Sequence, residues 1–379
     1  MGAPSETYVD PSIAANSGTG TIGDPYGDLQ YALDQTTQDG TNGNRFNIKA
    51  GTAEILSGSL DLTTFGTGSG LGDPLIFRGY TSTAADGGIG EIDGNNGNYA
   101  VIGNQMGVHF IDMKVHNFGA TTLWTTGVYC GAHNTEFADC DGTLVRVDGW
   151  RSYWQGCYFH DASGVGLDLS SDEASAVYNY FKNDGTRDFT TAIWVEGQIG
   201  QVSHNILSIG GTTNGIKNDQ TASNFSWRFD NNSIFSSGGS GIGIWVEAGN
   251  KIAGAVTSNL IEGFSGVGGV GIQTDSGNRH MLWVAYNALY NNTTDLNLNS
   301  GPFFVEEIDN EALSVSPFDK SGSDTFANRF TYFAPANTGN VHGGAYPSGS
   351  RRDKGAVQHA DPAGGGSGGV SRSRQLVGI

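Results

Sequence analysis

A five-residue alternation recurs eight times in this chain, and nothing else in the sequence restricts its fold as strongly. The copies are Gly127-Val-Tyr-Cys-Gly, Leu144-Val-Arg-Val-Asp, Gly166-Leu-Asp-Leu-Ser, Ala192-Ile-Trp-Val-Glu, Gly215-Ile-Lys-Asn-Asp, Gly243-Ile-Trp-Val-Glu, Gly271-Ile-Gln-Thr-Asp and Asp295-Leu-Asn-Leu-Asn. Period-two alternation reads as a short strand, with positions two and four turned inward and three and five outward. A second motif runs in phase with it, carrying Asn at 179, 205, 232, 259 and 287, with Asp112, Thr135 and Cys157 in the same place in earlier copies. Its successive spacings are 23, 22, 22, 26, 27, 27 and 28 residues.

Two strand motifs in every 22–28 residues, with Gly, Asn and Asp corners and no helical stretch between them, exclude most repeat architectures. A βαβ unit needs a crossover helix, and a propeller blade needs four strands in about 40–50 residues. Short strands wound into coils that stack in parallel satisfy the spacing. The recurrent Asn then falls at one inward corner, where stacked amides can hydrogen-bond from coil to coil. The expected fold class is all-β, a single right-handed parallel β-helix with a short N-terminal capping helix. Asp28 would cap that helix, which reads Gly27-Asp-Leu-Gln-Tyr-Ala-Leu-Asp. The ranges expected are 1–44 for the N-terminal segment and helix and 45–310 for the β-helix. A closing region at 311–361 and a Gly-rich linker with a basic tail peptide at 362–379 complete the chain.

These motifs resemble the pectate-lyase-like superfamily of right-handed β-helices, which includes polysaccharide lyases and hydrolases and phage tailspikes. The resemblance covers roughly residues 45–310. It implies a fold and leaves the activity open, because unrelated activities share the scaffold. Arg352-Asp-Lys-Gly-Ala-Val-Gln resembles the closing strand that follows environmental and viral β-helix domains.

Charge narrows the partners. The chain carries 38 acidic against 19 basic residues, a net −19, so nucleic acid is not an expected partner. No stretch is long and apolar enough to span a bilayer. The three cysteines form neither a disulfide framework nor a zinc motif, and are read as thiols, two of them in the core. Neither a metal nor a cofactor is expected. The start lacks the charged and apolar regions of a secretory signal. A leader removed beforehand, or release by lysis or particle assembly, would each account for that.

In-register stacking would gather the outward side chains into two columns. The third position reads Tyr129, Arg146, Asp168, Trp194, Lys217, Trp245, Gln273, Asn297, and the fifth Gly131, Asp148, Ser170, Glu196, Asp219, Glu247, Asp275, Asn299. Trp194 and Trp245 should stand about 10 Å apart, with Lys217 between them. Indole faces beside carboxylates suit a sugar chain, whose apolar faces stack and whose hydroxyls donate. The ligand-binding candidates are therefore Tyr129, Arg146, Trp194, Lys217, Trp245, Gln273 and Asp275. Glu196, Asp219 and Glu247 are the catalytic candidates, Glu196 and Glu247 at a separation suited to an inverting glycosidase. Burial of the two Trp under a loop or a neighbouring subunit is the competing reading.

His160-Asp161 and His116-Asn117 read as solvated turns, and the Gly66 loop as no phosphate cradle. The leading functional expectation is a virion-surface β-helix (tailspike, fibre or decoration protein) presenting a glycan-binding face. Its partners would be a polysaccharide or cell-surface glycan, a capsid or tail assembly bound through the basic tail, and further copies of itself in a homo-oligomer such as a trimer. A secreted glycoside hydrolase or lyase, extracellular rather than virion-bound, and a purely structural protein without ligand are the alternatives.

Overall fold

The computed structural model describes residues 3–333 apart from 63–73, 99, 104–106, 126, 184, 186, 220–224, 248–250, 276–278, 299–304, 319, 321–322 and 326. The Gly66 loop, Asn299, the Arg352 segment and the linker and tail at 362–379 lie outside the described residues.

Among the described residues, the strands form three parallel sheets of 12, 10 and 11 strands, and each coil between the two ends contributes to all three in turn. The ten-stranded sheet carries the alternation. Ile193, Ile216, Ile244 and Ile272 are paired in one register and fully buried, so the inward assignment holds. The small residue at position one has a steric cause. A Cβ on Gly215 would lie 2.4 Å from the Gly243 carbonyl oxygen, and one on Gly243 2.6 Å from that of Gly271. Coils this close leave no room for a side chain at Gly215 or Gly243, whereas Leu144 and Ala192 are accommodated at the same motif position on other coils.

The Asn motif forms a continuous buried ladder. The side-chain amide of Asn179 donates to Asn205 Oδ1 at 3.1 Å, and the same bond links Asn205 to Asn232, Asn232 to Asn259 and Asn259 to Asn287 at 2.9–3.1 Å. Asn287 continues to Asn310 at 2.8 Å. Each Oδ1 also accepts the backbone N–H of the preceding ladder residue, as Asn205 Oδ1 does from Asn179. The donors and acceptors of the corner are thereby used, which removes the desolvation cost of five buried amides. The ladder begins differently from expectation. Pairing of Tyr158 with Glu136 and of Glu136 with Lys114 aligns Cys157 and Thr135 with Met113, so Asp112 stands one residue early. Asp112 instead occupies a left-handed turn at φ 52° and accepts from the Asn134 amide at 2.6 Å.

The core between the sheets holds a run of aromatic rings along its earlier coils. Phe46, Phe77, Phe110, Phe137, Phe159 and Phe181 follow one another ring to ring at centroid distances of 4.6–6.4 Å. All three cysteines are buried in this core as thiols, one more than expected. Burial pushes the Cys157 thiol up to about 12.

Strand Ser5–Val9 heads the twelve-stranded sheet by pairing with Asn44–Lys49. The helix Leu29–Gln35 lies between these two strands in sequence. Its N-terminus is capped by Asp28, which accepts from the Tyr31 N–H at 2.6 Å, and it buries Leu29, Ala32 and Leu33.

Toward the other end, the chain folds back over the outer face of the eleven-stranded sheet as a strap. Phe318 and Phe333 pack on Tyr180, Ile206, Leu260 and Ala288. Asp324 accepts from the Tyr180 hydroxyl and from Ser208 Oγ, and Lys320 pairs with the buried Glu262.

Candidate functional site

Backbone pairing places Arg146, Asp168, Trp194, Lys217, Trp245, Gln273 and Asn297 in one unbroken row on the outer face of the ten-stranded sheet. Tyr129 is not in that row, which corrects the sequence reading. The strand of its coil is Leu123–Thr125, and Trp124 takes the slot beside Arg146. Tyr129 sits beyond the strand at φ 64°, with its hydroxyl accepting from Arg151 at 2.5 Å, and Gly131 opens a strand of the next sheet.

Three consecutive coils build the centre of the strip. The Lys217 ammonium lies 4.9 Å from the Trp194 ring centre and 4.5 Å from that of Trp245. It also contacts Glu247 at 2.7 Å and Asp219 at 3.5 Å. The facing sides of the indoles are thus filled by a cation that two carboxylates neutralise. A sugar cannot enter between the rings and must lie across the tops of the three side chains. Trp245 Nε1 donates to Asp275 at 3.1 Å, and Gln273 donates to the other Asp275 oxygen at 2.9 Å, which fixes the ring plane.

The expected catalytic set divides. Asp219 and Glu247 share Lys217, whereas Glu196 faces the opposite way along the strip. Its Oε2 is 2.8 Å from Ser170 Oγ, and that oxygen is also 2.8 Å from Asp168 Oδ1. Burial pushes the Asp168 carboxyl up to about 6, and the charges of Glu196 and Asp148 add to the rise. The Ser170 hydrogen bond and Arg146 oppose it. Arg146 is itself engaged by Asp148 at 3.0 Å. Asp168 was visible in the sequence as a member of the outward row, but nothing there marked it. Its environment comes from Ser170 two residues on and Glu196 on the next coil.

A second polar cluster lies on the eleven-stranded sheet. His160 bonds Asp161 at 2.6 Å and Glu136 at 3.2 Å, and its ring stacks on Tyr158 at 4.1 Å. Burial pulls its pKa down, but the two carboxylates outweigh burial and push it up to about 9. His116 lies 2.8 Å from Glu91. The His160 corner is an ion-paired network and the His116 ring lies against a carboxylate, so neither is a bare solvated turn. Among the described residues, no three His, Cys, Asp or Glu side chains converge as a metal site requires. A groove of about 410 Å³ runs beside the strap, lined by Lys182, Asp188, Ser208, Phe235 and Asp324 among others.

No protein-family model matches the chain, and no curated protein matches it significantly. Among solved structures, the crystal structure of pectate lyase Pel9A matches at TM-score 0.52 and 15% identity, covering 95% of this chain and 98% of that one. The GH136 lacto-N-biosidase from Eubacterium ramulus matches at TM-score 0.46 and 11% identity, over 81% of this chain and 68% of that one. The catalytic unit of the GH87 α-1,3-glucanase from Streptomyces thermodiastaticus matches at TM-score 0.39 and 12% identity, over 85% and 72%. The chain has a pectate-lyase-like parallel β-helix fold.

Proposed function

We propose that the outer face of the ten-stranded sheet binds a neutral polysaccharide chain laid along the solenoid axis. The observation that carries this reading is the fixed Trp194–Lys217–Trp245 stack with Glu247 and Asp275 at its edge. Two ring edges and a neutralised cation make a flat surface for a sugar face, and the flanking carboxylates accept from hydroxyls. The row of side chains repeats at about 4.8 Å, close to the length of one sugar unit, so successive coils can meet successive residues of a chain.

The charge of the strip selects among glycans. Asp148, Glu196, Asp219, Glu247 and Asp275 outnumber Arg146 and Lys217, so a polyanion such as the pectate of the matched lyase is repelled. Neutral, hydroxyl-rich chains meet no such penalty. A virion location, attachment through the basic tail and self-association rest on the sequence alone.

A glycan array with the intact protein tests the reading. It predicts retention of neutral oligosaccharides, weakened by Trp194→Ala and by Trp245→Ala. Binding only to acidic glycans, or to none, rejects it.

A further inference from the structure

We infer that Asp168 and Glu196 form an acid–carboxylate pair that hydrolyses the glycosidic bond held on the strip, with Asp168 carrying the proton. This rests on the strip being the glycan site and adds an activity to it.

Ser170 has one hydroxyl hydrogen, yet its oxygen lies 2.8 Å from an oxygen of each of two carboxyls. One hydrogen serves one of these contacts, so the other needs a proton on a carboxyl, which then donates to Ser170 Oγ. Asp168 is the better holder. Its row neighbours are Arg146 on the preceding coil, which Asp148 engages, and Trp194 on the following one, and the charges of Glu196 and Asp148 both disfavour its ionised form. Its pKa of about 6 agrees with that assignment.

The spacing decides the reaction course. Two links of 2.8 Å put the contacting oxygens no more than about 5.6 Å apart. That suits the roughly 5–5.5 Å of a retaining pair and not the roughly 6.5–9.5 Å that admits a water for inversion. Asp168 gives its proton to the glycosidic oxygen as the C1–O bond breaks and its electron pair stays on that oxygen. Glu196 bonds to C1 and forms a glycosyl ester. Water then attacks C1, Asp168 takes one of its protons, and the ester C–O bond breaks with its pair returning to Glu196. One water is consumed and Asp168 ends protonated.

Carbon-detected NMR of the side-chain carboxyls in the full chain reads the proton without any substrate. Asp168, assigned by its loss in Asp168→Asn, is expected to titrate near 6, and about one unit lower in Glu196→Gln. With a bound neutral oligosaccharide, each of these variants is expected to lose about 10²–10⁴-fold in kcat with little change in KM. Wild-type rate falls as pH rises through about 6, and products keep the anomeric configuration. A nitrophenyl glycoside, whose leaving group needs no proton, restores bond breaking to Asp168→Asn and not to Glu196→Gln. Titration of Asp168 in the ordinary carboxylate range, or undiminished turnover by Asp168→Asn, overturns the inference. Glycan binding without hydrolysis overturns it too and leaves the binding strip standing. Loss of all glycan binding removes the proposed substrate, while the titration still decides the shared proton.

Discussion

The ammonium of Lys217 lies 4.5 Å from the centre of the Trp245 ring, and the same nitrogen is 2.7 Å from Glu247 Oε2. Its side chain is only 14% exposed, so the cation is the hub on which two indoles and two carboxylates depend. Lys217→Met keeps the stem and removes the charge, leaving Asp219 and Glu247 unneutralised. The expected cost is about 1–3 kcal/mol in urea unfolding, with weaker glycan binding, while Lys217→Arg retains most of both.

The Asn ladder makes a sharper prediction about the fold. Asn232 Oδ1 accepts from both the backbone and the side chain of Asn205, and its amide donates to Val202 O and Asn259 Oδ1. Asn232→Ala orphans several buried groups at once and is expected to cost at least about 3 kcal/mol. Val267→Ala, at a residue 98% exposed, serves as the control and should stay within about 0.5 kcal/mol. Equal unfolding midpoints for the two variants would show that the ladder is not a source of stability.

The strap should detach before the solenoid unfolds. Asp324 satisfies the hydroxyl of the fully buried Tyr180 and that of Ser208. Asp324→Ala is expected to raise hydrogen exchange and proteolysis within 313–333 while amides of the ten-stranded sheet stay protected. Uniform loss of protection across all three sheets would mean that the strap and solenoid unfold together.

Most of the solenoid was legible because its period is written in side chains that must face inward. Ile193 through Ile272 and Asn179 through Asn287 each occupy positions that tolerate little else, so register followed from spacing alone. Legibility failed where a segment imitates the pattern. Gly127-Val-Tyr-Cys-Gly alternates like a strand, but the strand of that coil ends at Thr125 and Tyr129 turns with positive φ. It also failed where chemistry depends on neighbours. Asp168 and Asp148 look alike in sequence, but Asp148 pairs with Arg146 while Asp168 lies against Ser170 beside Glu196. The His160 network hid for the same reason, since Glu136 lies a full coil away.

His160 sets a pH dependence with a definite sign. Its folded pKa of about 9 lies above the ordinary 6.5, so the stability it contributes is complete below about 6.5 and is lost as pH rises through 9. The contribution is on the order of 2–3 kcal/mol. Unfolding curves between pH 6 and 10 should show wild-type stability falling toward that of His160→Gln and meeting it at the alkaline end. A difference that stays constant across this range would place the role of His160 in packing on Tyr158 rather than in its charge.

A crystal structure of the protein with the tightest-binding neutral oligosaccharide tests the central claim most directly. The predicted result is a sugar chain lying along the ten-stranded sheet, across the tops of Trp194, Lys217 and Trp245, with hydroxyls on Glu247 and Asp275. A sugar seated instead in the groove beside the strap, between Lys182 and Asp324, would contradict the account.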